Sequence, residues 1–216
     1  MESASIRQGD PTGGADARAQ SAAPAAAWTP ADPAPLGLAG FALTTFVLSM
    51  FNAHLVSEAG ESVVLGLALA YGGLAQLLAG MWEFRTGNTF GAVAFSSYGA
   101  FWISFWVLVT FFAPKIPAAH AGDAIGLYLW AWGIFTTYMF VASLRTTGAI
   151  ALVFFLLAAT FIVLGIGNSG GSTNVIKIGG YLGLATAIAA WYASFAAVMA
   201  HTFKRAVLPT FPLSGP

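Results

Sequence analysis

The residues that could do chemistry in this chain are uncharged hydroxyls and amides within long apolar segments. Thr44 and Thr45 follow the stretch DPAPLGLAGFAL, and Ser97 and Tyr98 stand within GNTFGAVAFSSYGAFW. No Lys, Arg, Asp or Glu occupies the middle of such a segment. A polar group in hydrocarbon costs free energy unless it has a partner, so polar residues there usually mark function or helix packing. Neutral donors without a buried cation favour weak binding and rapid passage of a solute.

The sequence lacks the residues and motifs that most other kinds of chemistry need. Cysteine is absent, which excludes disulfides, thiolate catalysis and cysteine-based metal sites. The three histidines are too far apart in sequence to suggest a metal site, and no nucleotide-binding or nucleophile-elbow motif is present. A net charge of zero argues against nucleic acid as a partner. We therefore expect no enzyme, no cofactor and no bound metal.

Composition indicates that a lipid bilayer surrounds most of the chain. Charged residues make up 7% of the 216 residues, whereas an average soluble domain has roughly 25%. Hydrophobic residues reach 58%, and the mean hydropathy is +0.78. Six apolar segments approach or exceed the roughly 20 residues that a membrane helix needs. They cover residues 36–57, 63–83, 90–113, 124–144, 148–167 and 175–200. The predicted fold is an all-α membrane protein with six transmembrane helices.

The predicted domains are a disordered N-terminal tail (residues 1–31), a transmembrane domain (32–206) and a C-terminal tail (207–216). Six spans place both termini on one face, and that face has more basic residues than the other. By the positive-inside rule the termini are cytoplasmic, and we expect the plasma (cell inner) membrane. The basic residues of the first face are Arg7, Arg18, Arg85, Arg145, Lys204 and Arg205, against Lys115 and Lys177 on the other.

A repeat runs through the six segments. Gly66 and Gly126 begin similar stretches in the second and fourth segments, and Phe41, Tyr98 and Leu157 stand 57 and 59 residues apart in the odd ones. These offsets predict three parallel helical hairpins of about 58 residues around an axis along the membrane normal. A pore through the protomer, lined by one helix of each hairpin, would follow. Alternatively, the matches arise because small residues occur wherever helices pack closely against each other.

The start of the first span also has two interpretations. Asp32 is the predicted N-cap and Pro33 the first helical residue, and the free N–H groups of a helix N-terminus suit an anion. Plain capping without a ligand is the alternative. Likewise, Thr44 and Thr45 either contact a solute or donate to the carbonyl four residues earlier. Glu83, at a span end, is interpreted as an interfacial anchor.

Two of these stretches resemble the signatures of the acetate uptake transporter family, which includes bacterial succinate-acetate permeases and yeast ammonia/acetate exporters. DPAPLGL (32–38) is similar to the family's Asn-Pro-Ala-Pro-Leu-Gly-Leu motif, and GNTFGAVAFSSYGAFW (87–102) to its second motif. The likeness covers about residues 32–209. Asp32 replaces the family's Asn, and a carboxylate at a pore mouth repels an anion, which argues against a direct ligand role there.

The resemblance implies a hexamer in which each six-helix protomer has its own pore. It implies passage of acetate and related short mono- or dicarboxylates, including succinate, with proton coupling or channel-like behaviour. It also implies an apolar constriction formed by Phe41, Tyr98 and Leu157. The predicted substrate-binding and pore residues are Phe41, Thr44, Thr45, Asn52, Ser97, Tyr98, Leu157, Thr160 and Asn168. A urea or amide channel and a non-conducting membrane sensor or scaffold are the alternatives.

Overall fold

A computed structural model of the chain describes residues 28–213, which form six long helices and the segments that join them. We number the helices α1 to α6. They span Ala34–Asn52, Val63–Thr86, Thr89–Lys115, Ala118–Ser143, Gly148–Ser169 and Thr173–Phe203. Each helix is long and apolar enough to cross a membrane. The prediction of six membrane helices is confirmed. Most of the predicted tail of residues 1–31 lies outside the described residues.

The proline-rich segment begins α1 one residue later than predicted. α1 starts at Ala34, and its N-cap is Pro33 rather than Asp32. The backbone N–H of Ala34 nevertheless donates to the Asp32 carboxylate over 2.9 Å, which satisfies one of the donors that a helix start leaves free. Pro35 fits because an N–H in the first turn has no partner within the helix.

The helices differ from the predicted spans at the end of α1 and within α2 and α3. α1 ends at Asn52 instead of residue 57, and His54 follows with a φ of +56°, in the left-handed region. α2 and α3 each contain a π-helical segment, at Ala70–Ala75 and Leu108–Phe112. A π segment inserts one extra residue without interrupting the apolar pattern, so apolar run length alone does not reveal it.

The helices follow one another around the bundle, and α6 packs against α1 to close it. α1, α3 and α5 run in the same direction and end at one face. We call this the distal face; it holds residues 53–62, 116–117 and 170–172. The other face holds both ends of the described chain, residues 28–33 and 204–213.

The outer surface of the bundle is apolar. On α4, Leu127 and Ile134 are 71% and 69% exposed. Large apolar side chains on the outside of a helix bundle are stable in lipid and costly in water. The protein is therefore a multi-pass membrane protein.

The end of the chain is attached to the start of α5. The backbone N–H of Gly148 donates to the Phe211 carbonyl over 2.6 Å, and that of Leu213 donates to the Thr146 carbonyl over 2.9 Å. The Tyr192 hydroxyl donates to the Pro209 carbonyl. Much of the predicted C-terminal tail, 207–216, is thus held against the helices, whereas residues 214–216 lie outside the described part.

Glycine allows α1 and α6 to approach closely. A Cβ added at Gly180 would overlap the backbone of Ala53, and one added at Gly66 would meet no atom within 4 Å. We expect Gly180→Ala to force the helices apart and to destabilise the protein by about 1–3 kcal/mol. Gly66→Ala should be neutral or stabilising by about 0.5–1 kcal/mol, because alanine favours a helix.

Thermal unfolding of the two variants in detergent measures the difference. The control makes the same chemical change on an open helix surface. Equal unfolding temperatures for the two variants would contradict the close α1–α6 contact.

Candidate functional site

A cavity of about 560 Å³ enters the helix bundle from the distal face. α1, α3 and α5 supply most of its lining, and α2, α4 and α6 add two residues each. Asn52 and Asn168 line its mouth, where α1 and α5 end, and Phe41 and Leu157 are the innermost lining residues of these two helices. The threefold pattern of the sequence thus corresponds to a cavity between one helix of each hairpin.

Phe41 and Leu157 line the inner end of this cavity, whereas Tyr98 is outside its lining and packs against the Phe41 ring. Phe41, Tyr98 and Leu157 are 4%, 3% and 4% exposed, and all belong to one apolar cluster. The ring centroids of Phe41 and Tyr98 lie 5.8 Å apart, which is a favourable distance for an aromatic pair. The side chains therefore turn toward the interior of the bundle and away from lipid. Their role as the constriction stays a prediction.

The Tyr98 hydroxyl is engaged within the protein. It lies 2.9 Å from the Thr136 hydroxyl, which is itself 2.7 Å from the Trp132 carbonyl. Because Thr136 has one hydrogen to give and the carbonyl can only accept, Tyr98 is the donor of the first bond. Tyr98 thus presents its ring, rather than a free O–H, toward Phe41.

We call Phe41, Tyr98 and Leu157 the inner layer. A second layer, one helical turn nearer to the distal face, contains polar groups. Its members are Thr45, Trp102 and Phe161, each four residues after a member of the inner layer, and all three line the cavity. They are 5%, 2% and 4% exposed. Within the described residues, the Thr45 hydroxyl and the Trp102 indole N–H have no hydrogen-bond partner. Sequence reasoning missed Trp102, although its position four residues after Tyr98 was a usable signal.

The other predicted pore residues divide into two groups. Asn52, Thr160 and Asn168 line the cavity, whereas Thr44 and Ser97 are outside its lining. Thr44 is fully buried, donates to the Gly40 carbonyl over 2.9 Å and occupies the space left by Gly72 of α2. Thr44 is therefore a helix-packing residue in this structure.

Two of the lining residues already use donors within the protein. The Thr160 hydroxyl donates to the Leu156 carbonyl, and the Asn168 amide donates to the Leu164 carbonyl, both over 2.8 Å. Only the second amide hydrogen of Asn168 remains for a solute.

The mouth of the cavity is acidic. His54, Glu58 and Glu61 line it, and the His54 ring lies 3.3 Å from the Glu58 carboxylate. Burial, and then the nearby charge of Glu58, raise the pKa of the Glu61 carboxyl. The lining contains no Lys or Arg among the residues that the structure describes. Residues 28–213 also contain no group of three or more His, Cys, Asp or Glu that could hold a metal.

Glu83 differs from its predicted role as an interfacial anchor. Its side chain is only 1% exposed, near the end of α2 opposite the distal face. The Thr86 hydroxyl lies 3.1 Å from Oε2, whereas Oε1 has no partner among the described residues. Gly91 of α3 makes room for the carboxylate. A glutamate next to Trp and Arg in sequence looks like an anchor, and only the packing of α3 shows that it is buried.

Comparison with known proteins gives a consistent result. The chain matches the GPR1/FUN34/yaaH family over residues 14–215. It is 46% identical over 181 residues to ammonia transport outward protein 2 of Saccharomyces cerevisiae, with 82% of this chain and 64% of that protein covered. The chain thus spans just under two thirds of the yeast protein.

Bacterial relatives are covered over nearly their whole length. The chain is 39% identical over 181 residues to the succinate-acetate/proton symporter SatP of Escherichia coli, with 83% of this chain and 94% of that protein covered. The solved structure of the bacterial acetate channel SatP matches with a TM-score of 0.79 and 37% identity. That match covers 84% of this chain and 99% of the other.

Cysteine substitution tests which residues face the cavity, because the chain has no cysteine of its own. Asn52→Cys should react with a membrane-impermeant thiol reagent added from the distal side. Thr44→Cys should react at least roughly tenfold more slowly, because buried structural cysteines are inert. Mass spectrometry of the intact protein measures both rates. Equal rates in folded protein would contradict the cavity as described.

Proposed function

The chain belongs to the GPR1/FUN34/yaaH family, and from this premise we propose that it carries acetate and related short carboxylates, including succinate, across a membrane. The path is the cavity between α1, α3 and α5. The observation that carries this proposal is a cavity without Lys or Arg that ends at Phe41 and Leu157, with Tyr98 packed against Phe41, in a chain similar to a protein named an acetate channel.

The mechanism starts from the charge of the solute. A small carboxylic acid with a pKa near that of Glu, roughly 4.3, is almost entirely an anion at neutral pH. Moving a bare carboxylate into hydrocarbon is costly. Asn52, Thr45 and the free amide hydrogen of Asn168 replace water around the carboxylate as it moves inward. Without a buried cation the anion is held weakly and leaves quickly.

Selectivity comes from the inner end of the cavity. Phe41, Tyr98 and Leu157 form a constriction that a small methyl-bearing acid passes after shedding its water, while bulkier or hydrated solutes are rejected. Residues 41, 98 and 157 occur at equal levels of the three hairpins, so the narrowest point lies on the axis of the repeat.

The termini lie in the cytoplasm and the distal face lies outside the plasma membrane, because the face with the chain ends has more Lys and Arg. The protomers assemble as hexamers, each with its own path. Protons move together with the anion or change the rate of its passage. This agrees with the name of the E. coli relative, a succinate-acetate/proton symporter.

The comparisons favour acetate transport over a urea channel or a non-conducting sensor, since the named relatives are transport proteins. The yeast relative is named for ammonia transport, so ammonium belongs in the test. Counterflow of radiolabelled acetate in proteoliposomes, with and without a pH gradient, should show uptake that unlabelled acetate abolishes. Competition by urea or ammonium but not by acetate, or no uptake at all, would contradict the proposal.

Leu157→Ala tests the constriction. Removing three carbons at the inner end of the cavity should widen the path, so that succinate and lactate enter faster relative to acetate. The cost in stability is about 2–5 kcal/mol, as for other buried leucines. Uptake of the labelled acids in proteoliposomes measures the ratio. Leu152→Ala, at a half-exposed position of α5, is the matched control. A substrate range equal to that of the unchanged protein would show that Leu157 does not set the size limit.

Glu61→Gln tests the acidic mouth. The pKa of Glu61 is raised, so as pH falls its carboxyl gains a proton before an ordinary glutamate does, and the repulsion of an incoming anion decreases. Acetate entry from the distal side should therefore rise more steeply on acidification in the unchanged protein than in Glu61→Gln. At neutral pH the variant should be faster.

Asp123→Asn is the control for this pH dependence, because Asp123 is exposed and outside the cavity lining. Its pH profile should follow that of the unchanged protein. Identical profiles for all three proteins would exclude a role of Glu61 in entry.

A further inference from the structure

We propose that Glu83, near the end of α2 opposite the distal face, is a proton-binding site whose proton lies on Oε2 and is donated to the Thr86 hydroxyl. Glu83 is outside the cavity lining, so the site adds a group for protons beside the proposed path. The effect of this proton on acetate passage rests on the proposed transport function, whereas the binding of the proton does not.

The first step counts the hydrogens between Glu83 and Thr86. The Thr86 hydroxyl lies 2.9 Å from the backbone carbonyl oxygen of Glu83 and 3.1 Å from its Oε2 atom. A hydroxyl has one hydrogen to give, and a carbonyl oxygen can only accept. If Thr86 donates to the carbonyl, the second contact is a hydrogen bond only when the carboxyl group carries a proton. In the charged form, two oxygens of Glu83 compete for one hydrogen.

The second step is that little stabilises a negative charge on this carboxyl group. The Glu83 side chain is 1% exposed, and its Oε1 atom has no hydrogen-bond partner among the described residues. The ion pair of residues 28–213 is elsewhere, between His54 and Glu58 at the distal face. An unpaired charge is far more costly to bury than a neutral acid, so a group in this position takes up a proton.

The third step concerns α3, which packs against the carboxyl group. The start of a helix favours an anion, but the Gly91 N–H donates to Asn88 Oδ1 over 3.1 Å. The Asn88 amide also faces Glu83, yet no donor reaches Oε1 in hydrogen-bond geometry. A Cβ added at Gly91 would lie 2.8 Å from Oε1. Because the backbone of α3 comes this close, we infer that the cation bound here is a proton.

The fourth step concerns the charged groups near Glu83. The charge of Asp32, just before α1, acts on Glu83, and two carboxylates repel each other. Arg85 is two residues further along α2, but its guanidinium lies over the Trp28 ring, 5.8 Å from the centroid. A proton on Glu83 removes the repulsion, and the Asp32 carboxylate stays free to accept from the Ala34 N–H.

The position of Glu83 connects the proton to the helices of the path. The end of α2, the start of α3 and the residues before α1 meet around its carboxyl group. Loss of the proton places an unpaired charge between these segments and favours their separation. Acetate passage should therefore respond to the protonation of Glu83 as well as to that of Glu61 at the distal mouth.

Infrared spectroscopy tests the proton directly, because a protonated carboxyl group has a C=O stretching band that a carboxylate lacks. The unchanged protein in detergent at neutral pH should show this band, with a shift on ¹³C labelling of glutamate. Glu83→Gln should lose the band, and Glu61→Gln is the matched control that should keep it. Glu83→Gln preserves the shape, and its amide can donate to Thr86. Its unfolding temperature should therefore stay equal or rise.

Alkaline titration of the same band tests the contribution of Asp32. Asp32→Asn removes the repelling charge and keeps an oxygen that accepts from the Ala34 N–H. Its band should disappear at a lower pH than that of the unchanged protein. Asp123→Asn removes an exposed carboxylate on α4 and should leave the titration unchanged.

The pH dependence of acetate counterflow in proteoliposomes tests the effect on passage. Glu61→Gln removes the contribution of the distal mouth, and adding Glu83→Gln to it should remove the pH dependence that remains. Equal pH profiles for the single and double variants would show that the proton on Glu83 does not act on passage.

The outcomes separate the two proposals. A protonated-carboxyl band at neutral pH that is the same in Glu83→Gln and the unchanged protein overturns the proton site, even where the protein transports acetate. A band that Glu83→Gln removes, in a protein that carries no acetate, supports the site and contradicts the transport function.

Discussion

The structure depends on where its buried polar groups find hydrogen-bond partners. In hydrocarbon no water is available, and an unpaired donor costs roughly 1–3 kcal/mol. Most hydroxyls in the helices meet this constraint locally, as Thr44 does with Gly40 and Thr136 does with Trp132. The unpaired donors at Thr45 and Trp102 therefore stand out. Both residues line the cavity between α1, α3 and α5.

In the proposed path, the repeated hairpins place side chains of similar character at the same depth. α1, α3 and α5 run in parallel, so equivalent positions fall at the same depth, and each layer has its own character. The inner layer of Phe41, Tyr98 and Leu157 is apolar, and the next one outward contains the free donors. Asn52 and Asn168 mark the layer near the mouth. In the proposed path the hydration of the anion is replaced in steps, and no step requires a buried Lys or Arg whose strong attraction would retain the ligand.

Sequence patterns predicted the helices and the burial of Phe41, Tyr98 and Leu157 in one cluster better than they predicted individual hydrogen bonds. Apolar length and the offsets between Phe41, Tyr98 and Leu157 depend on periodicity, which a chain displays directly. Whether a threonine faces a cavity or a neighbouring helix depends on a rotation of about 100° per residue, and Thr44 and Thr45 differ by that one step. The engagement of Tyr98 with Thr136 and the burial of Glu83 depend on packing between helices, which no local pattern records.

A crystal structure with methaneseleninate, an acetate-like anion with an anomalous scatterer, tests most directly the central claim that the path runs between α1, α3 and α5 of one protomer. No cysteine is present to reduce the probe. The account predicts an anomalous selenium peak inside the cavity, on the distal side of Phe41. Selenium peaks confined to the outer helix surface, or to an axis between protomers, would contradict it.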